Sequence, residues 1–433
     1  MVHRLFILLS IIGFCVNSHA ETNNLTIIEL VELAVNNPTR TNIIDAYNNI
    51  IYYRSFNKDV CCQSFDTIMQ SLNDDEIAIE LFALLIGDET VEYIAFCVRS
   101  QYDAPHICHL FNEDELNYRL EKGEALFKDT TLASLLLEPL REELIGVKKI
   151  YFTPAGKLHL FAIEYCNVEE GIMLGEKYEF YRLTSSAMLI HHKDKQVHYN
   201  SYVIYGGIDF DILPKYEERY ECEPKKCQMG YLQDSYLAAL DVHRFFTKEG
   251  LRGKLYANEN ATEQSFKSLP KNNQIFFIET HGVVSPHHAK TNYPNALMFS
   301  TSSYVMEGGI VPEGYEDGLL TTEEIATMDL SNIDLAVISA CKSALGDIDW
   351  KGVNGLMRSF KTAGVYSLVM TTGDVVDFVS GEVWKSFFRN LMQGKTKRES
   401  LLMAIKEIGS SHRGFYSLPK YWAPFILIDG LDL

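Results

Sequence analysis

The sequence predicts an α/β fold built on a largely parallel sheet with helices on both faces. Three observations lead there. In the second half of the chain, short β-branched and aromatic runs alternate with amphipathic stretches at the spacing of strand–helix units. Two of those runs, 274–280 and 333–338, hold unbroken apolar stretches at 275–278 and 335–338, as buried strands do. The chain is 433 residues long, 47% hydrophobic and 12% aromatic, enough to fill a sizeable core.

Taken in order, residues 1–20 read as a secretory signal. His3-Arg4 open it, Leu5 to Val16 are mostly apolar, and Ser18 and Ala20 are small residues where a signal peptidase reads. The apolar run is shorter than the roughly 20 residues that span a bilayer, and no later run is longer. The expectation is an exported protein, secreted or periplasmic, cleaved after Ala20 and without a membrane span. Residues 21–64 follow a helical pattern, and no long repeat is present. From 65 to 200 the pattern turns to strands, with a hairpin over 77–84 and 92–98, a helix through Leu132–Leu140, and a strand at 147–153 stopped by Pro154-Ala155-Gly156. The third unit, 201–433, carries strands at 202–205, 274–280, 333–338, 366–370 and 424–428. Helices at 234–247, 354–362, 379–392 and 398–408 separate them. Residues 301–317, rich in Gly, Ser and acid, read as a mobile loop.

A net charge of −19 argues against a nucleic-acid partner, which needs clustered Lys and Arg, and suits basic peptides. Eight cysteines follow the leader. Cys222 and Cys227 have the spacing of a small disulfide loop in an oxidising compartment. Cys61-Cys62, Cys97, Cys108 and Cys166 sit in apolar contexts and read as buried. No Cys/His set has zinc-ligand spacing, and the adjacent pairs His191-His192 and His287-His288 read as solvated, so neither metal nor cofactor is expected. Asn24 and Asn260 lie in Asn-x-Thr sequons.

The chemistry lies at two strand ends. The run 274–280 closes on His281-Gly282, and the run 333–338 closes on Ser339-Ala340-Cys341. Open α/β sheets build their sites at the carboxyl ends of neighbouring strands, where His281 as base and Cys341 as nucleophile would meet. Gly282 lets the main chain approach a substrate carbonyl, and the N–H groups of Gly282 and Cys341 are the expected oxyanion donors. Each residue alone has a structural reading, a turn histidine or a buried thiol. Glu279, on the face of His281, either orients the ring or meets a partner strand.

These motifs sit in a longer ordered series. It includes Thr153-Pro154-Ala155-Gly156-Lys157-Leu158-His159, Ala261-Thr262-Glu263, Glu279-Thr280-His281-Gly282, Asp317-Gly318-Leu319-Leu320, Ser339-Ala340-Cys341, Gly352-Val353-Asn354-Gly355 and Tyr421-Trp422-Ala423-Pro424. Over residues 65–433 the chain resembles the CHAT domain family, caspase-like cysteine peptidases related to separase. The resemblance implies a caspase-like fold with a degenerate half at 65–200 and an active half at 201–433, His281 as base and Cys341 as nucleophile. It departs in having Lys342-Ser343-Ala344 where the family often has Glu-Thr-Gly, and Gly373 where Trp is common. Tetratricopeptide repeats, frequent ahead of such domains, are absent or reduced to 21–64, which removes the usual partner-sensing module and leaves the mode of control open, an activating partner protein being one option.

In separase-like relatives an acid in the loop after the next strand pairs with a basic P1 side chain. Here Asp374 and Asp377 stand in that loop, which implies cleavage of protein or peptide substrates after Arg or Lys. The competing reading makes both acids helix-start residues that favour the dipole. The function expected is therefore a cysteine endopeptidase. Its rivals are a non-catalytic binding module for a partner protein and a thioester-forming transferase.

Overall fold

The computed structural model describes residues 25–56, 63–87, 90–191, 198–212, 230–283, 295–411 and 414–432. The leader, Asn24, the Cys61-Cys62 and Cys222/Cys227 pairs, His192 and His287-His288 lie outside the described residues.

One eleven-stranded sheet runs through both halves. From edge to edge the order is His106–Asn112, Thr90–Val98, Glu76–Ile86, Lys149–Thr153, Glu179–Arg182, Phe425–Ile428, Ser367–Thr371, Leu335–Ser339, Ile275–Glu279, Ser201–Ile208 and Arg252–Asn258. The last five are mutually parallel. Phe425–Ile428 pairs antiparallel with Ser367–Thr371 but parallel with Glu179–Arg182, so two parallel blocks of opposite sense meet at the C-terminal strand. At the outer edge of the first half, Thr90–Val98 pairs antiparallel with both of its neighbours, Glu76–Ile86 and His106–Asn112.

Ile275–Glu279, Leu335–Ser339 and Ser367–Thr371 are buried at every position, which explains their lack of alternation. Helix Asp377–Met392 packs Trp384 and Phe388 against Phe277. Helix Gln233–Lys248 packs beside it, so closely that a Cβ on Gly381 would stand 2.8 Å from the Ala238 methyl. Glycine is what the crossing requires.

The helices Ile27–Asn36 and Arg40–Arg54 cover the first half, burying Tyr47, Ile50 and Ile51 with Phe82, Ile94 and Phe96. Arg54 is buried with them. It pairs with Glu80 at 2.9 Å and donates to the carbonyls of Leu81 and Trp350. At the seam, buried Asp429 accepts from the Thr184 N–H and hydroxyl and pairs with Lys361 at 2.8 Å. Arg182 grips Glu164 through Nε and Nη2. Charges placed this deep hold only because each is matched.

The segment 301–317 is not all loop. Ser302–Met306 forms a short helix, and the stretch after it is pinned by Lys267, which pairs with Glu316 at 2.5 Å. No helix among the described residues is long and apolar enough to cross a membrane.

Candidate active site

The register of two strands brings the histidine and the cysteine together. Ile278 lies opposite Ile338 and Glu279 opposite Ser339, and the Thr280 N–H continues the ladder to the Ser339 carbonyl at 3.0 Å. Two residues beyond that rung stand His281 and Cys341, on neighbouring parallel strand ends. Both are half-buried, whereas Cys97 and Cys166 are buried outright and Cys108 partly. Burial pushes the Cys166 thiol far above its ordinary range.

His281 Nε2 lies 3.1 Å from the Gly230 carbonyl oxygen. A carbonyl only accepts, so Nε2 carries the proton and Nδ1 is left as the basic nitrogen. The Phe210 ring, 4.9 Å from the imidazole centroid to centroid, flanks it. The Cys341 thiol points to the Val375 carbonyl, 4.0 Å away. Among the described residues the two side chains do not hydrogen-bond each other in this state.

The turn bearing Cys341 is fixed by its neighbours. Buried Ser343 donates its hydroxyl to the Ile338 carbonyl and accepts from the Thr371 N–H, each at 3.0 Å. Lys342 sits at φ +57°, a left-handed conformation unusual for a side chain of this length, and its N–H donates to the Gly373 carbonyl. The Cys341 N–H donates to no protein acceptor among the described residues. Gly282 faces Leu297 across Gly282–Val283 and Ala296–Met298, and the Met298 N–H reaches the His281 carbonyl. That pattern marks a non-hydrogen-bonded pair and leaves the Gly282 N–H outside the ladder. A Cβ on Gly282 would stand 3.0 Å from the Cys341 carbonyl oxygen and would crowd it, so glycine suits the close approach.

The two loop acids are in different situations. Asp374 is 71% exposed and pairs with the Lys342 ammonium at 3.1 Å. Asp377 is half-buried at the first position of helix Asp377–Met392, and its Oδ2 accepts the Asp234 N–H at 3.0 Å, capping helix Gln233–Lys248. Burial raises the Asp377 carboxyl. The N–H groups of Ser235 and Asp234 and the nearby His281 pull it back in part. Glu279 is wholly buried and accepts from the Ser339 hydroxyl at 3.3 Å, so it faces the partner strand.

Glu263, Glu316 and Glu324 converge, but around an ammonium: Lys267 lies 2.7, 2.5 and 2.7 Å from them. Glu263 also accepts the Gly318 N–H at 2.8 Å. The cluster is an internal ion network that shapes the 307–318 loop. A cleft walled by Glu76, Lys149, Tyr151, Tyr181 and Arg398 includes neither His281 nor Cys341.

The Gly230 carbonyl escaped sequence reasoning, because a backbone acceptor has no side-chain signature. So did the separate roles of Asp374 and Asp377, which spacing alone does not distinguish.

No curated protein matches the chain. Among solved structures, Saccharomyces cerevisiae separase in complex with securin superposes with a TM-score of 0.50 at 9% identity, covering 94% of this chain and 34% of that one. The Arg-specific cysteine proteinase gingipain R gives 0.44 at 8% identity, covering 69% of this chain and 66% of that one. The chain thus spans about two thirds of the gingipain and one third of the separase. At these identities the separase likeness speaks to fold alone, and that fold is caspase-like. The CHAT domain model matches residues 129–429, well over half of the sequence, and the chain belongs to the CHAT domain family.

Proposed function

We propose that the protein is an exported cysteine endopeptidase that cleaves after Arg or Lys, with His281 as base and Cys341 as nucleophile. The observation that carries the reading is the register of Ile275–Glu279 against Leu335–Ser339, which sets the two residues on adjacent strand ends beneath two unclaimed N–H groups. In the reaction, Nδ1 of His281 takes the thiol proton as Sγ attacks the scissile carbonyl carbon. The N–H groups of Cys341 and Gly282 receive the oxyanion, and the imidazolium returns its proton to the leaving amine. Water then attacks the thioester with the same nitrogen as base, releasing the acid and restoring the thiol. The Gly230 carbonyl holds the ring in the tautomer this cycle needs.

Asp374 is the better candidate for the P1 partner, since the Asp377 carboxylate is committed to a helix terminus. In the substrate-free state Lys342 occupies Asp374, and an arriving guanidinium would displace it with a bidentate pair. One observation favours a binding module instead: the thiol and the imidazole each address a backbone carbonyl and not each other.

Residues 21–433, incubated under mild reductant with a positional-scanning peptide library beside a Cys341→Ala control, test both. Cleavage after Arg or Lys that vanishes in the control supports the peptidase and its preference. Cleavage after another residue keeps the peptidase and removes Asp374 from the pocket. Silence from both proteins, with either one capturing library peptides, supports the binding module.

A further inference from the structure

Two loops from distant parts of the sequence meet over the dyad. One, the short stretch 230–232 that leads into helix Gln233–Lys248, orients His281 through the Gly230 carbonyl. The other, 373–376, lies against the Cys341 thiol through the Val375 carbonyl. Asp377 stands where they join. We propose that Asp377 is a positioning residue and not a reader of substrate: its carboxylate fixes the start of helix Gln233–Lys248, and thereby the Gly230 carbonyl that orients His281. The proposal rests on the peptidase reading for its kinetic consequences, but its structural content does not.

The chain of contacts is short. Asp377 Oδ2 receives the Asp234 N–H at 3.0 Å, and only Tyr231, Leu232 and Gln233 separate Asp234 from Gly230. The helix so capped is held in register on Asp377–Met392 by the close Gly381–Ala238 contact and by the Lys385–Asp241 pair at 3.0 Å. Ser235, the next residue, is buried and ties the same turn to both neighbouring strands. Its hydroxyl donates to the Glu279 carbonyl at 3.4 Å and accepts the Gly207 N–H at 3.3 Å. The turn before His281, the helix start and the nucleophile's loop are thus bound at one point, and Asp377 is the only carboxylate hydrogen-bonded to that helix start among the described residues.

A role as the P1 acid fits this geometry poorly. An oxygen that accepts a helix N–H cannot give a substrate guanidinium a full bidentate partner without uncapping the helix. Asp374, three residues earlier and exposed, is under no such constraint. Asp377 nevertheless lies close enough to His281 for the ring's charge to act on its carboxyl, so a displacement at Asp377 would reach the base.

Three variants separate the roles: Asp377→Ala removes acceptor and charge, Asp377→Asn keeps an acceptor, and Asp377→Glu moves the carboxylate by one methylene. Positioning predicts that kcat falls about 10- to 100-fold in Asp377→Ala, with KM and P1 preference unchanged, and that Asp377→Asn recovers most of the loss. Should Asp377→Ala not fold, Asp377→Glu carries the same expectation. A rise in KM for Arg peptides with a changed P1 preference would overturn the proposal and make Asp377 the reader. So would an unchanged kcat. An arm that needs no catalysis uses 15N-histidine-labelled protein carrying Cys341→Ala. Its His281 should show protonated Nε2 and bare Nδ1, and adding Asp377→Ala should mix the tautomers. If wild type cleaves nothing, the peptidase reading fails while this spectrum still decides the positioning role. An unaltered His281 spectrum would refute it.

Discussion

Glu279 ends the strand two residues before His281, and replacing it by glutamine should make the protein relatively more stable as pH rises. Its carboxyl is fully buried, and Oε2 has no hydrogen-bond partner among the described residues. Burial, reinforced by nearby Asp377, pushes its pKa well above the ordinary carboxylate range; Ser339, Ser380 and Trp384 oppose the shift without cancelling it. In the unfolded chain the same group loses its proton near 4.5. Below that pH both states are protonated and the folded form keeps its full stability. Between the unfolded and the folded pKa the folded state holds a proton that the unfolded state has released. Stability there falls with rising pH, by about 1.4 kcal/mol per pH unit for one group. Above the folded pKa the slope vanishes.

Glutamine cannot ionise and nearly matches the shape, so the variant lacks that slope. Urea unfolding of both proteins at pH 5, 6 and 7, in the Cys341→Ala background, measures the difference. It should move in favour of Glu279→Gln by about 1.4 kcal/mol per unit until the folded pKa is passed. Glu263, pushed by burial up to about 7 despite its Lys267 partner, titrates in both proteins and cancels in the comparison. A difference that stays flat with pH, or that moves toward wild type, would mean that Glu279 is ionised in the folded protein, and would refute the reasoning.

Replacing Lys342 by glutamine removes the occupant of Asp374. Because the pair is exposed, KM for Arg peptides should drop only two- to fivefold at unchanged kcat, and the gain should shrink at roughly 0.5 M salt. Gly282→Ala places a methyl 3.0 Å from the Cys341 carbonyl, and displacement of that oxyanion donor should lower kcat about 100-fold with KM nearly unchanged. An active Gly282→Ala enzyme would remove Gly282 from the oxyanion site. Lys267→Met leaves three carboxylates facing one another, so it should destabilise by roughly 3 kcal/mol at pH 8 and less at pH 5, below the value of about 7 to which burial pushes Glu263. Urea midpoints at the two pH values check this, and limited proteolysis should begin within 307–318.

The central strands were legible because burial on both faces left unbroken apolar runs in the sequence. The edges were not. His106–Asn112 sets His106 and His109 three residues apart among apolar residues with mixed exposure, and Arg252–Asn258 opens on three exposed residues, Arg252, Gly253 and Lys254. That edge strand exists because Ser201–Ile208 offers a partner. A Cβ on Gly253 would lie 2.2 Å from the Tyr202 carbonyl, so a residue poor in strand propensity is the one the contact admits. Glu179–Arg182 was missed for the opposite reason. Four residues are too few to show a period, and its place is set by the strands on either side. The place of His281, Gly282 and Cys341 at strand ends was legible because such ends are punctuated by small residues. Ser343 was read only as a departure from a family pattern, although its hydroxyl locks the nucleophile's turn.

The opposite sense of the two blocks places their strand carboxyl ends on opposite sides of the sheet. Carboxyl ends of the second block carry His281 and Cys341, while the first block presents its own carboxyl ends at the other edge, where Thr153 leads into Pro154. The first half serves instead as a brace. Its helix Arg40–Arg54 sends buried Arg54 across to the Trp350 carbonyl, at the tip of the hairpin Gly346–Asp349 and Gly352–Gly355 that begins five residues after the nucleophile. Ala344 and Thr371, in turn, tie the start of that stretch to the strand beside Cys341. A guanidinium placed so deep must keep all its partners, since an unmatched buried charge costs several kcal/mol. The N-terminal helices therefore have one allowed seating on the sheet, and that seating holds the far side of the loop that carries the thiol.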